Sequence, residues 1–450
     1  MKKHKRITNS LTYPRMIALG YFLVISIGTL MLSLPISTRD GAYSGFINTL
    51  FTATSATCVT GLVVFDTYTQ WTLFGQSVIL MLIQIGGLGF MTIVTMISFI
   101  VKRKISLKER GLLRESVNTM YIGGIVRLTK RILIGTLLFE SAGAILLSIR
   151  FIPEMGLAEG IYNGIFHSVS AFCNAGFDIM GKYGEFSSLT TYFGDVCVNL
   201  TIIMLIIFGG IGFFIWDDIE KNRHHYKRYR LHTKIVLVVT TILIASSSIC
   251  FYIFERNNLL CEMKTGERIL ASVFSAVTPR TAGFNTVGTA ELTPASKLLT
   301  IVLMFIGGSP GSTAGGIKTT TLAVVMISLW SMLKNKKNDN IFGRRLEDSA
   351  LKRASAVITV NTMLIIFAAL LISVANDSFA FGDILFEVSS AIGTVGLSTG
   401  ITGDLSAFSH IIIIFLMFSG RVGSLSFALA FTENRVPSSV QNPMERINIG

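Results

Sequence analysis

The sequence predicts an all-α polytopic membrane protein: four pseudo-repeated units of span, re-entrant pore loop and span, eight transmembrane helices around a central pore. Three observations predict it. The 450 residues are 51% hydrophobic and only 14% charged, against about 25% charged in a soluble domain. The basic residues cluster in alternate segments along the chain. Two short markers recur four times in the same order.

The spans come first. About 20 residues at 1.5 Å each cross a ~30 Å hydrocarbon core. Eight apolar stretches qualify, at roughly 15–36, 72–101, 132–151, 193–216, 234–254, 296–333 (interrupted), 354–375 and 407–431. The first follows the basic stretch Met1–Arg6, but no small-residue cleavage site follows it, so it reads as an uncleaved span. Of 39 Lys and Arg, 29 lie in 1–15, 102–131, 217–234, 334–353 and 432–450, and 8 in 37–71, 150–192, 255–297 and 376–410. The positive-inside rule then predicts a multi-pass protein with both termini cytoplasmic, and the membrane expected is the plasma membrane. The same placement removes nucleic acid as the reason for the +13 net charge.

The expected organisation is a cytoplasmic N-terminus 1–14, pore repeat one 15–101, a cytoplasmic loop 102–131 and pore repeat two 132–216. A loop 217–233, pore repeat three 234–333 with a broken second span, and a loop 334–353 follow. Pore repeat four 354–431 and a cytoplasmic C-terminus 432–450 complete it.

The first marker is a short apolar stretch, Ser-Ala, then a glycine: Ser55/Gly61, Ser170/Gly176, Ser275/Gly283 and Ser390/Gly396. The spacing is 6, 6, 8 and 6, with two extra residues around Pro279-Arg280. The second marker lies in the following span: Gly86-Gly87-Leu88-Gly89, Gly209-Gly210-Ile211-Gly212, Gly307-Gly308-Ser309-Pro310-Gly311 and Ser419-Gly420-Arg421-Val422-Gly423. The apolar stretch before each first-marker glycine is too short to cross. A helix that enters and returns leaves irregular backbone at membrane depth, tolerated only inside protein or along an aqueous cavity. A single such glycine would read as a helix C-cap. Four in register suggest a ring of backbone carbonyls that replaces the water of a dehydrated cation, with glycine allowing φ > 0.

The half-filters CVTGL, CNAGF, RTAGF and GTVGL resemble the potassium-uptake superfamily of Trk, Ktr and plant HKT transporters; the length, the eight expected spans and both termini inside look most like its Ktr-type membrane subunit (KtrB/KtrD). The resemblance covers nearly the whole chain. It implies potassium-selective uptake, with ion-binding positions at Thr60, Gly61, Ala175, Gly176, Ala282, Gly283, Val395 and Gly396. Glycine in all four repeats goes with potassium preference in that family. The resemblance also implies a homodimer with one pore per protomer. A cytoplasmic nucleotide-binding regulatory ring of the KtrA or KtrC type would dock on the cytoplasmic loops. No cofactor is expected in this chain; potassium is the transported ion, and sodium dependence stays open.

Span six is interrupted by Gly307, Gly308, Ser309, Pro310, Gly311, Ser312, Thr313, Ala314, Gly315 and Gly316, with Lys318 at its end. Such a run cannot easily continue a helix. It reads as an intramembrane gate below the filter, the role this segment has in the resembling family. It falls one residue short of a Walker A loop, since Ile317 separates Gly316 from Lys318. Lys318 and Arg421 lie inside spans, where a charge costs at least ~2.5–3.5 kcal/mol. Arg421 is expected to face the cavity as a pore constriction, bonding the loop or filter carbonyls; Lys318 is expected to snorkel to the cytoplasmic surface.

An alternative is a symporter in which Glu140 or Asp195 couples sodium or protons to potassium entry. A further alternative is a membrane enzyme or scaffold holding a phosphate group at the glycine-rich loop. The five cysteines have no CxxC spacing, and no enzyme chemistry and no metal site other than the transported cation is expected. His224, His225 and His232 read as a solvated loop. Asp66, Asp178, Glu387 and Asp404 fall on the outer side, and His167 shares its repeat position with Glu387.

Overall fold

The computed structural model describes residues 12–102, 105–117, 124–223, 225–336 and 338–423. The basic N-terminus before residue 12, His224 and residues 424–450 lie outside the described residues. The end of the last expected span and the whole expected C-terminus are therefore among those not described.

The chain runs through one order of elements four times. The first unit holds α1 (Tyr13–Leu32), α2 (Phe46–Cys58), the short α3 (Thr67–Gln70), α4 (Leu73–Leu88) and α5 (Phe90–Ile100). After α6 (Leu107–Val117) come α7 (Ile125–Met155), α8 (Leu157–Cys173), α9 (Val196–Ile211) and α10 (Phe213–Asn222). The third unit is α11 (Leu231–Phe254), α12 (Thr265–Val277), α13 (Pro294–Ile306) and α14 (Thr319–Leu333). A small hairpin, β1 (Asn340–Ile341) with β2 (Arg344–Arg345), leads to α15 (Ala350–Ala375), α16 (Phe381–Gly393) and α17 (Ala407–Val422).

By length and composition α1, α7, α11 and α15 can each cross a membrane. Their burial is inverted relative to a soluble helix. Phe22, Leu30, Leu137, Leu138, Met363 and Val374 face outward, while Thr29, Thr136, Glu140 and Asn361 are buried. Lipid-facing helices carry this pattern because only the bundle interior can satisfy polar groups. The helices α13, α14 and α17 are apolar but shorter.

Two expected spans are not straight. The stretches 72–101 and 193–216 each read as one span, but the helix pairs that begin in them, α4/α5 and α9/α10, bend by 95° and 92°. Each break falls at the third glycine of the second marker, Gly89 at φ 82° and Gly212 at φ 102°. That backbone region is open to glycine and closed to most side chains.

The helix that follows the short helix of each unit, α4, α9, α13 or α17, begins with a capping residue. Thr72, Asp195, Thr293 and Ser406 accept hydrogen bonds from the amides of Gly75, Val198, Ser296 and Ser409. These satisfy donors that a helix start leaves open. The packing closes into a cycle: α4 lies on α8, α9 on α12, α13 on α16, and α17 returns to α2. The capped helix of each unit thus supports the short helix of the next.

Candidate ion passage

The short helices α2, α8, α12 and α16 end at the first marker. In three units the end is a left-handed residue, Val59 (φ 56°), Asn174 (φ 57°) or Thr394 (φ 51°). The next amide then bonds back to the marker serine's carbonyl: Thr60 to Ser55 (2.8 Å), Ala175 to Ser170 (2.8 Å) and Val395 to Ser390 (2.9 Å). A β-branched residue in this region is strained, and such strain clusters at functional sites. The serine hydroxyls hold the strand beyond. Ser55 and Ser390 accept from the amides of Gly61 and Gly396 (3.1 and 3.0 Å), and Ser170 donates to the Phe177 carbonyl (2.6 Å).

The third unit differs. Its two extra residues move the turn, so Thr278, not Ser275, donates to the carbonyl after the glycine, Phe284. The left-handed residue is Thr281, at φ 75°. A threonine five residues before Gly283 was the available signal.

The four glycines form a closed ring. A Cβ on Gly61 would lie 2.4 Å from the Ala175 carbonyl oxygen, and one on Gly176 2.8 Å from that of Ala282. One on Gly283 would lie 2.4 Å from the Val395 oxygen, and one on Gly396 2.2 Å from the Thr60 oxygen. Each contact points to the next unit and the fourth returns to the first, so the glycines share one axis. All four have positive φ, between 69° and 93°. The short helices converge on this ring with their C-terminal ends, which carry partial negative charge.

A cavity of about 590 Å³ lies outside the ring, with all four glycines in its wall and Asp66, Asp178 and Asp404 around it. Asp66 is committed to the amides of Tyr68, Thr69 and Phe186 (3.0, 2.8 and 3.1 Å). Asp178 accepts from Met180 N (3.0 Å). Burial, with the Asp66 charge adding to it, pushes the Asp178 carboxyl up to about 7.

On the other side the second-marker glycines pack under the short helices. A Cβ on Gly86, Gly209 or Gly420 would meet the carbonyl of Thr57, Phe172 or Ile392 at 2.0–2.2 Å. The glycine-rich segment between α13 and α14 is non-helical, with Gly307, Gly311 and Gly316 at positive φ. Ser309 N and Thr313 N bond to the Gly210 and Gly209 carbonyls (3.0 and 3.2 Å), and Phe213 N to that of Gly311 (2.8 Å). Thr313 Oγ1 donates to Phe172 O (3.1 Å) and accepts from the Asn174 amide (3.0 Å). Gly315 lies so close under Thr394 that a Cβ would meet its hydroxyl oxygen at 1.9 Å. The segment is thus seated directly beneath the ring, beside a cavity of about 190 Å³.

Arg421 borders that cavity and joins opposite units. It donates to Thr313 O in the segment and to the carbonyls of Gly86 and Gly87 in the first unit. It bonds the segment, not the ring carbonyls. Lys318 does not reach for the surface. Its ammonium turns back onto the Ala314 and Gly315 carbonyls (2.8 and 3.1 Å), closing the segment's own turn.

Asp195 is the cap of α9 and pairs with Arg150 at the periphery. Glu140 is buried and accepts from Gln84 Nε2 (3.2 Å). His167 sits among Phe151, Phe166 and Phe284 with Nδ1 on the Asn163 carbonyl (2.8 Å).

Fold and site together define a class: polytopic helical membrane proteins. Residues 3–440 match the family model TrkH, described as a cation transport protein. The chain belongs to this family, and its activity is transport rather than enzyme chemistry. It is 41% identical over 452 residues to the potassium/sodium uptake protein NtpJ of Enterococcus hirae, covering 99% of each chain. It is 42% identical over 434 residues to the Ktr system potassium uptake protein B of Bacillus subtilis, covering 96% of this chain and 95% of that one. Its fold is similar to the potassium transporter TrkH from Vibrio parahaemolyticus, with TM-score 0.75 at 16% identity, over 96% of this chain and 87% of that one. The expected Trk/Ktr family is borne out.

Proposed function

We propose that the protein takes up potassium across the plasma membrane through the axis of the four-glycine ring. The carbonyls of Thr60, Ala175, Ala282 and Val395 replace the ion's hydration water, and Gly61, Gly176, Gly283 and Gly396 keep the strands close enough to do so. The observation that carries this reading is the cyclic closure of the ring, each glycine lying against the carbonyl of the next unit. The names of NtpJ and of the Bacillus protein support potassium as the ion.

Residues 307–318 act as the gate. Arg421 clamps them across the passage and adds a positive charge that opposes cations. Both termini are cytoplasmic, the units follow the four expected pore repeats, and the protein works as a homodimer beneath which a nucleotide-binding ring of the KtrA or KtrC type docks. Sodium is a second reading, favoured by the printed name of NtpJ. Its seat would be Glu140, whose carboxylate meets Gln84 and no cationic side chain among the described residues.

The test is complementation of a cell deficient in potassium uptake. The wild type restores growth at limiting potassium, and Gly61→Ser loses discrimination against sodium. A wild type that is inserted but restores nothing overturns the reading.

A further inference from the structure

The four short helices are alike at one position and differ in what it does. The residue three before the marker serine is Thr52, His167, Ser272 or Glu387. In the first three units it bonds to its own helix. Thr52 Oγ1 donates to Asn48 O (3.0 Å), His167 Nδ1 lies 2.8 Å from Asn163 O, and Ser272 Oγ donates to Arg268 O (2.7 Å). Glu387 alone reaches forward, past the ring, to the strand that leaves it.

Its carboxylate gathers three donors there. Oε1 accepts from the Ser398 hydroxyl and the Thr399 amide (3.1 Å), and Oε2 from the Thr402 hydroxyl (3.0 Å). The knot extends outward: Ser398 Oγ accepts from Gly400 N (2.8 Å), Thr289 of the third unit donates to Ser398 O, and His410 of α17 holds the Thr402 carbonyl (2.8 Å). Glu387 is 1% exposed. A carboxylate at that depth is costly unless fully hydrogen-bonded. The sister positions show that such a hairpin folds without one.

We infer that Glu387 is a positioning residue for ion selection, fixing the fourth quadrant of the passage by anchoring the strand 398–402 that follows Gly396. The ring end of this segment is held by Ser390, through Val395 N and Gly396 N. The far end is held by Glu387. Ser398, Thr399 and Thr402 all face the outer cavity wall, so loosening the anchor lets the Val395 carbonyl follow ions of different size.

This inference rests on the uptake function proposed above. The test compares competitive uptake of potassium and sodium in cells carrying the wild type, Glu387→Gln, Thr402→Val or Ser272→Ala. In Glu387→Gln the ratio of apparent KM for sodium to that for potassium falls about tenfold, with the maximal rate retained. Thr402→Val, which removes one donor, moves it about threefold the same way. Ser272→Ala leaves it unchanged. An unchanged ratio in an inserted Glu387→Gln overturns the inference, as does an equal shift in Ser272→Ala. Should Glu387→Gln fail to insert, Thr402→Val decides alone, and an unchanged ratio there overturns it. A wild type without alkali-cation uptake sinks the function itself, an outcome distinct from a wild type that transports and variants that do not differ.

Discussion

Gly396 of the last unit lies against the Thr60 carbonyl of the first, so close that a Cβ on the glycine would sit 2.2 Å from the oxygen. Residues more than three hundred positions apart thereby close a ring, and a side chain at that seam has no room.

The seam ranks the glycines. Alanine at Gly396 meets the neighbouring oxygen at 2.2 Å, at Gly61 or Gly283 at 2.4 Å, and at Gly176 at 2.8 Å. Each also bears the left-handed backbone cost of about 1–2 kcal/mol. Rubidium uptake should fall by about tenfold or more in Gly396→Ala and least in Gly176→Ala. The reverse order would place the narrow point elsewhere.

Arg421 holds the segment 307–318 against the first unit through Thr313, Gly86 and Gly87. Hydrogen bonds to a charged group contribute about 1.5–3 kcal/mol. Arg421→Ala, or deletion of Ser312–Gly315, should raise potassium flux into proteoliposomes roughly tenfold. Equal flux from normally inserted protein would show that the segment does not obstruct.

The outer mouth should respond to pH. With its carboxyl raised to about 7, Asp178 is charged above that pH and neutral below it. A mouth with one negative charge fewer attracts cations less. Uptake at low potassium should decline as the external medium goes from pH 8 to pH 6, and Asp178→Asn should flatten the profile at the low level. A variant that keeps the wild-type profile would assign the titration to another group.

Asp195 has a structural role in this fold. It caps α9 through Val198 N (3.0 Å) and pairs with Arg150. Asp195→Ala should destabilise the protein by about 0.5–2 kcal/mol through the lost cap, read as a lower melting temperature, while the dependence of uptake on sodium stays as in the wild type. A changed sodium dependence would return Asp195 to the coupling role.

The elements that repeat were legible in the sequence, because repetition separates a functional glycine from a helix cap. Gly61, Gly176, Gly283 and Gly396 could be read that way. The bends at Gly89 and Gly212 could not, since hydrophobicity records the environment of a helix and not its direction. Thr278 was hidden by an insertion that moved the turn past the Ser275 marker. Asp195 reads in sequence as an intramembrane charge, because its equivalence to the caps Thr72, Thr293 and Ser406 depends on where each helix starts. The hydrogen bonds of Lys318 to the Ala314 and Gly315 carbonyls of its own turn depend on the loop's backbone geometry, which composition does not record.

The most direct measurement is the anomalous scattering of rubidium or thallium in crystals of the protein. The account predicts a peak on the axis, shared by the carbonyl oxygens of Thr60, Ala175, Ala282 and Val395. Heavy-ion density found only away from that axis, with the ring empty at saturating ion, would contradict it.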